Sequence, residues 1–202
     1  MRARVIVVAG PSGSGKSRLC RRLHERRGWP VVNLDDFYKD GDDPTLPRVH
    51  LAGGGTIVDW DDPASWHQDA AVDALEELCR SGNAEIPIYE LSRDGRIGSR
   101  RVSLTGAPYV LAEGVFADRV VPSCRSRELL ADAVCVANPR LLTFWRRLVR
   151  DLRESRKPPW VLVRRGFLLL RAEPRVVARA EAVGCVTLTG NQAYERLAPL
   201  GG

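Results

Sequence analysis

Residues Gly10 to Ser17 read GPSGSGKS, a complete G-x-x-x-x-G-K-S motif directly behind the apolar run Val5, Ile6, Val7 and Val8. A β-branched run entering a glycine-rich turn, with Lys16 and Ser17 opening an amphipathic segment, is the strand-loop-helix context of a phosphate-binding loop. Gly10, Gly13 and Gly15 let backbone N–H groups converge on an anion with no Cβ in the way, and Ser12 and Ser14 lie between them. The first turn of the following helix adds unpaired donors and the positive end of its dipole. Lys16 brings a point charge for β- and γ-phosphates, and Ser17 brings a hydroxyl suited to Mg²⁺. The whole loop, Gly10, Ser12, Gly13, Ser14, Gly15, Lys16 and Ser17, is therefore expected to hold the phosphates of a nucleotide.

The chain has 202 residues, 44% of them hydrophobic, enough for one domain with a substantial core. No apolar run approaches the ~20 residues that span a bilayer, and the N-terminus enters a strand without a signal-peptide pattern, so a cytoplasmic protein is expected. The five cysteines are odd in number and widely spaced, which fits reduced, buried thiols and no metal cluster. The net charge of +6 is local: ten basic residues between Arg140 and Arg171 face only Asp151 and Glu154. Such a stripe suits polyphosphate or solvent. Nucleic acid is the less favoured reading, because no aromatic-rich RNA-binding signature or zinc finger accompanies the charge.

Elements alternate in β-α order. A strand over Arg4–Ala9 leads to a helix over Lys16–Arg27, closed by Gly28 and Pro30. Val31–Leu34 reads as a second buried strand delivering Asp35 and Asp36 at its carboxyl end. From Lys39 to Gly55 the prolines and three consecutive glycines predict a long loop free to move. Asp62-Pro63 predicts a helix start, with Trp66, Ala70, Ala74, Leu75 and Leu78 on its apolar face and Gly82 as its stop. Ile86, Ile88, Val102 and Leu104 flank a turn at Asp94-Gly95, which predicts two antiparallel strands outside the main sheet. Buried strands follow at Tyr109–Ala112, ending in Glu113-Gly114, and at Ala133–Ala137. A helix carries Leu141 to Leu152, another lies within 166–183, and a last strand at Cys185–Leu188 turns through Thr189-Gly190-Asn191 into a terminal helix.

In this order the chain resembles the uridine kinase family of phosphate-loop kinases, whose relatives include phosphoribulokinase, pantothenate kinase and nicotinamide riboside kinase. The likeness spans Arg4 to Lys157 and rests on GPSGSGKS, LDDFYKD at Leu34 to Asp40, DWDDPASW at Asp59 to Trp66, IPIYE at Ile86 to Glu90, AEGVFA at Ala112 to Ala117 and RRLVRD at Arg146 to Asp151. It implies a single α/β P-loop kinase domain over residues 1–202: a parallel five-stranded sheet flanked by helices, a small β-arm at about 84–105 and an arginine-rich lid at about 147–157. It also implies ATP as phosphate donor, Mg²⁺, and a small-molecule acceptor such as a nucleoside. A homo-oligomer is compatible with the pattern.

Phosphoryl transfer needs an acceptor hydroxyl in line with the γ-phosphate, a carboxylate for its proton, a metal, and cations around the transferring group. Asp35 stands at the family's position for the base, with Asp36 as the alternative. Glu113 resembles the metal-side carboxylate beside Ser17. Asp61 resembles the carboxylate that grips the acceptor's ribose, whereas Asp62 reads as a cap. Tyr38, Tyr89 and Arg96 complete the acceptor contacts that the resemblance implies, although Tyr89 also suits a core-facing strand position. Arg147 and Arg150, three apart on one helix face, are placed to reach a triphosphate from a closing lid. The chain departs from the family at Asp94, where a histidine usually stands. Asp94 either faces the base or only shapes the turn. Three functional readings follow: a small-molecule kinase acting on a nucleoside or on another acceptor such as pantothenate or nicotinamide riboside, a nucleotide-binding regulator without turnover, and a nucleic-acid-associated ATPase. Asp35, Asp61 and Glu113 together favour the first.

Overall fold

The computed structural model describes residues 3–50, 54–137 and 174–201. Its centre is a parallel sheet of β1 (Arg4–Ala9), β2 (Val31–Asn33), β7 (Tyr109–Glu113), β8 (Leu130–Val136) and β9 (Val186–Leu188), in the spatial order β2-β7-β1-β8-β9. Val5 to Ala9 are fully buried, as a central parallel strand covered on both faces requires. On one face, α1 (Lys16–Arg27) and the terminal helix α5 (Gly190–Leu197) cover Ile6, Val8, Leu111, Val134 and Val136. On the other, α2 (Gln68–Ser81), α3 (Val121–Ser126) and the helical residues 174–182, here α4, close over Val5, Val7, Val110 and Ala112. Asp118, only 1% exposed, is held there by two hydrogen bonds from the Arg179 guanidinium of α4, at 2.5 and 2.9 Å.

Caps fix the helix ends where the sequence marks them. Gly28 and Gly82 end α1 and α2 at φ +70° and +82°, a left-handed conformation that costs glycine little. Thr189 and Gln192 form a reciprocal capping box at the start of α5. Asp62 caps a short 3₁₀ turn at Pro63–Ser65, accepting from Ala64 N–H at 2.8 Å, and α2 starts only at Gln68. The expected apolar face shifts accordingly. Ala70 is exposed, Ala71, Val72 and Cys79 are buried, and Trp66 enters the core ahead of the helix, its indole N–H donating to Leu34 C=O at 2.7 Å.

Two short strands flank part of the segment read as a loop from Lys39 to Gly55. β3 (Arg48–His50) and β4 (Thr56–Val58) pair as an antiparallel hairpin, and Asp43 C=O and carboxylate organise the turn before it through Leu46 and Thr45. β5 (Asn83–Glu90) and β6 (Gly95–Ser103) form the expected separate antiparallel arm, with a bulge between Ile88 and Tyr89. The five cysteines are free and buried. Among the described residues no helix is long and apolar enough to cross a membrane. The lid expected at 147–157, with Arg147 and Arg150, and the basic stripe that contains it lie outside the described residues, except that the helix expected within 166–183 is present from residue 174 to 182.

Candidate active site

Three neighbouring strands end at one place. β1 runs into the phosphate loop, β2 into a 3₁₀ turn at Leu34–Phe37 carrying Asp35 and Asp36, and β7, which lies between them, ends at Glu113. The carboxyl ends of parallel strands are where an α/β sheet opens a crevice to ligands. Gly10, Gly13 and Gly15 sit at φ +134°, +80° and +99°. At Gly10 the space is also closed, because a Cβ would lie 2.4 Å from Val136 C=O.

Lys16 is buried and its ammonium donates to the loop carbonyls of Gly10 and Pro11 at 2.8 and 3.1 Å. Burial lowers its pKa, partly offset by the nearby Asp35 and Glu113 carboxylates. The Ser17 hydroxyl donates to Glu113 Oε2 at 3.1 Å. Asp35 Oδ1 accepts from Val115 N–H at 2.8 Å, and its turn is pinned by Asn33 Oδ1, which accepts from Asp35 N–H at 3.2 Å. Gly114 permits this approach, since a Cβ there would stand 2.8 Å from Asp35 Oδ1. Burial pushes the carboxyls of Asp35 and Glu113 upward. Lys16 and Val115 N–H counteract the shift at Asp35, and Ser17 and Lys16 counteract it at Glu113. The residues around the loop thus concentrate one ammonium, two carboxylates and one hydroxyl in a water-poor space.

Ser17 and Glu113 offer oxygen donors alone, the chemistry that suits a hard cation such as Mg²⁺. Among the described residues no cluster of three or more histidine, cysteine or acidic side chains surrounds a metal position. One or two protein oxygens plus phosphates and waters is the usual Mg²⁺ arrangement in nucleotide sites.

Beside Asp35 the wall is aromatic. The Tyr38 ring lies 5.9 Å, centroid to centroid, from each of Trp60, Tyr89 and Phe116, and its hydroxyl donates to Trp60 C=O at 3.3 Å. Asp61 follows Trp60 in an exposed turn whose N–H donates to Asp59 Oδ1 at 3.1 Å. Tyr89 is half-buried, with a buried hydroxyl oxygen that has no hydrogen-bond partner among the described residues. Burial and the Asp94 and Asp40 carboxylates push its pKa up to about 12. Asp94 occupies the turn of the arm at φ +45° and is exposed, and its carbonyl accepts from Gly41 N–H at 2.6 Å. The Arg96 side chain is exposed, and its backbone N–H donates to Asp40 Oδ1 at 2.6 Å.

A second groove opens on the α1 side of the phosphate loop. Ser14 and Gly15 of the loop, Arg18 and Arg22 of α1, and the cap Thr189 and first-turn Asn191 of α5 line a cleft continuous with the phosphate loop. Arg22 donates to Asn191 Oδ1 at 3.2 Å and stacks over the Tyr194 ring at 4.0 Å. Its signal was the Thr189-Gly190-Asn191 turn, which follows the last strand at the same edge of the sheet.

A five-stranded parallel sheet ending in a glycine-rich phosphate loop, flanked by helices, and with acidic residues on adjacent strands, is the fold of P-loop kinases. Residues 5–156 match the phosphoribulokinase / uridine kinase family, and the chain belongs to it. The uridine kinase of Deinococcus deserti is 32% identical over 159 residues, 77% of this chain and 72% of that protein. The uridine kinase of Saccharomyces cerevisiae is 27% identical over 156 residues, 73% of this chain but 29% of its own length, so the chain spans less than a third of that relative. A solved structure of a candidate fructose transport system kinase from Silicibacter sp. TM1040 shares the fold, with a TM-score of 0.60 at 19% identity over 93% of this chain and 90% of the other.

Proposed function

We propose that this chain is one kinase domain that transfers the γ-phosphoryl group of ATP, with Mg²⁺, to a hydroxyl of a small molecule, in the first instance the 5′-hydroxyl of a ribonucleoside. The observation that carries the reading is Asp35. Its carboxylate is fixed by Val115 N–H next to Lys16, one strand away from the Ser17–Glu113 pair. A pure nucleotide binder has no use for a buried carboxylate there, whereas an acceptor hydroxyl needs one for its proton.

In this scheme the loop amides and Lys16 hold the β- and γ-phosphates, Lys16 leaving its carbonyl partners for phosphate oxygens. Ser17 and Glu113 would hold Mg²⁺, which would supply positive charge against the phosphates. The acceptor oxygen forms its bond to phosphorus as the bond to the β-γ bridging oxygen breaks, Asp35 takes the hydroxyl proton, and ADP departs with the electron pair. The aromatic wall of Tyr38, Trp60 and Tyr89 suits a nucleobase, with Asp61 and Arg96 at its margin. The cleft between Arg18 and Asn191 suits the donor nucleoside. Arg147 and Arg150 are assigned to a lid that covers the phosphates. A panel of nucleosides, pantothenate, nicotinamide riboside and sugar phosphates, incubated with ATP and Mg²⁺ and scored for acceptor-dependent ADP release, tests the reading. No acceptor-dependent release from any of them would leave a nucleotide-binding protein without turnover.

A further inference from the structure

Asp35 and Asp36 are neighbours in one 3₁₀ turn, yet their carboxylates serve different parts of the molecule. Asp35 turns inward to Val115 N–H at the end of β7. Asp36 turns to the arm and meets both of its strands. Oδ1 accepts from Tyr89 N–H of β5 at 3.5 Å, and Oδ2 lies 3.7 Å from Arg100 Nη2 of β6. The contact falls at the bulge, where Ile88 pairs with Gly98 and Tyr89 with Arg96, leaving Ile97 without a partner. The extra residue belongs to β6 and stands opposite the point where Tyr89 N–H of β5 donates to Asp36.

Four residues on, the same chain segment grips the arm again. Asp40 Oδ1 accepts from Arg96 N–H at 2.6 Å, and Gly41 N–H donates to Asp94 C=O at 2.6 Å. The second approach is so close that a Cβ on Gly41 would stand 2.9 Å from Asp94 Cβ. Residues 36 to 41 therefore connect the turn that carries Asp35 to both strands and the tip of the arm that carries Tyr89.

We propose that Asp36, seconded by Asp40, is a positioning residue that fastens the β5–β6 arm to the Asp35 turn, so that the surface recognising the acceptor and the group receiving its proton move as one body. The proposal rests on the reading of Asp35 as base and of the arm as the acceptor side. It assigns the second aspartate of the pair to acceptor affinity and not to proton transfer.

Three variants, Asp36→Ala, Asp36→Asn and Asp40→Ala, are compared with wild type and Asp35→Asn. In the free protein, amide exchange over residues 89–100 should quicken by about tenfold in Asp36→Ala while β1, β7 and β8 keep their protection. With ATP, Mg²⁺ and uridine as the probe acceptor, Asp36→Ala should raise the acceptor KM about tenfold with kcat lowered less than about threefold and the KM for ATP unchanged. Asp36→Asn keeps an oxygen for Tyr89 N–H and should recover much of the loss. Exposed Asp40 carries the test if Asp36→Ala does not fold. Unchanged arm exchange and acceptor KM in Asp36→Ala and Asp40→Ala overturn the proposal, as does a kcat loss at constant KM. If Asp35→Asn keeps full kcat while Asp36→Ala loosens the arm, the base assignment fails and the tether stands. If uridine is not turned over, arm exchange alone decides.

Discussion

Ser17 Oγ donates to Glu113 Oε2 at 3.1 Å, joining the end of the phosphate loop to the end of β7 across 96 positions of sequence. Glu113→Ala removes the acceptor of that bond and one of the oxygens assigned to the metal. The Mg²⁺ concentration for half-maximal turnover should rise by about tenfold or more, while a metal-independent nucleotide affinity stays near wild type. A Mg²⁺ titration of initial rates checks this, and an unmoved midpoint would remove Glu113 from the metal site.

The same carboxyl makes a prediction about stability. Burial raises the pKa values of Asp35, Asp36 and Glu113 above their ordinary carboxylate values, so the native state holds protons that the unfolded chain releases. Their contribution to stability is therefore fully present below the unfolded pKa and is lost as pH rises through the raised folded values. Glu113→Gln keeps an oxygen for Ser17 without the charge. Its Tm relative to wild type should be more favourable at pH 7 than at pH 4, measured by thermal unfolding at both values; the reverse order contradicts the sign.

Lys16→Ala should lower turnover by at least about a hundredfold with the far-ultraviolet spectrum unchanged, because the ammonium acts where negative charge accumulates on the transferring group. Normal ATP turnover in this variant would remove the phosphate loop from the mechanism.

Gly10→Ala faces two obstacles at once, φ of +134° and a Cβ 2.4 Å from Val136 C=O. Destabilisation by about 2 kcal/mol or more is expected, with weakened binding of a nonhydrolysable ATP analogue. Denaturant unfolding checks the first and calorimetry the second.

The acid limb of the wild-type kcat/KM profile should lie above the ordinary aspartate value of 3.8, because burial of Asp35 outweighs Lys16 and Val115 N–H, and Asp35→Asn should abolish it. A persisting limb at the same pH would assign the base elsewhere.

Periodicity and punctuation made much of this protein legible. α1 runs over the expected Lys16–Arg27 because a glycine stands at each of its ends, and β1 over Arg4–Ala9 because its fully buried part, Val5–Ala9, reads as an unbroken apolar run. The strands Arg48–His50 and Thr56–Val58 were not legible, because three-residue strands that are mostly exposed carry no alternation to read. The start of α2 misled because Asp-Pro caps a 3₁₀ turn as readily as a helix. Within the site, Lys16, Ser17, Asp35 and Glu113 follow from strand ends. The division of labour between Asp35 and Asp36 does not, since it depends on which neighbour each carboxylate meets in space. Arg22 and Asn191 were equally hidden, being 169 positions apart.

The strand order has a consequence for how the molecule is assembled. β1 and β2 are synthesised early but never touch, because β7 lies between them and pairs with both: Val5 to Val8 meet Val110 to Glu113 on one side, and Val31 to Asn33 meet Leu111 to Glu113 on the other. Without Tyr109–Glu113 between them, the strands that carry the phosphate loop and Asp35 would have no shared neighbour to pair with. The strand that delivers Glu113 is therefore also the wedge that holds the other two parts of the site in register, so a change that dislodged β7 would separate the phosphate loop from Asp35 as well as removing Glu113.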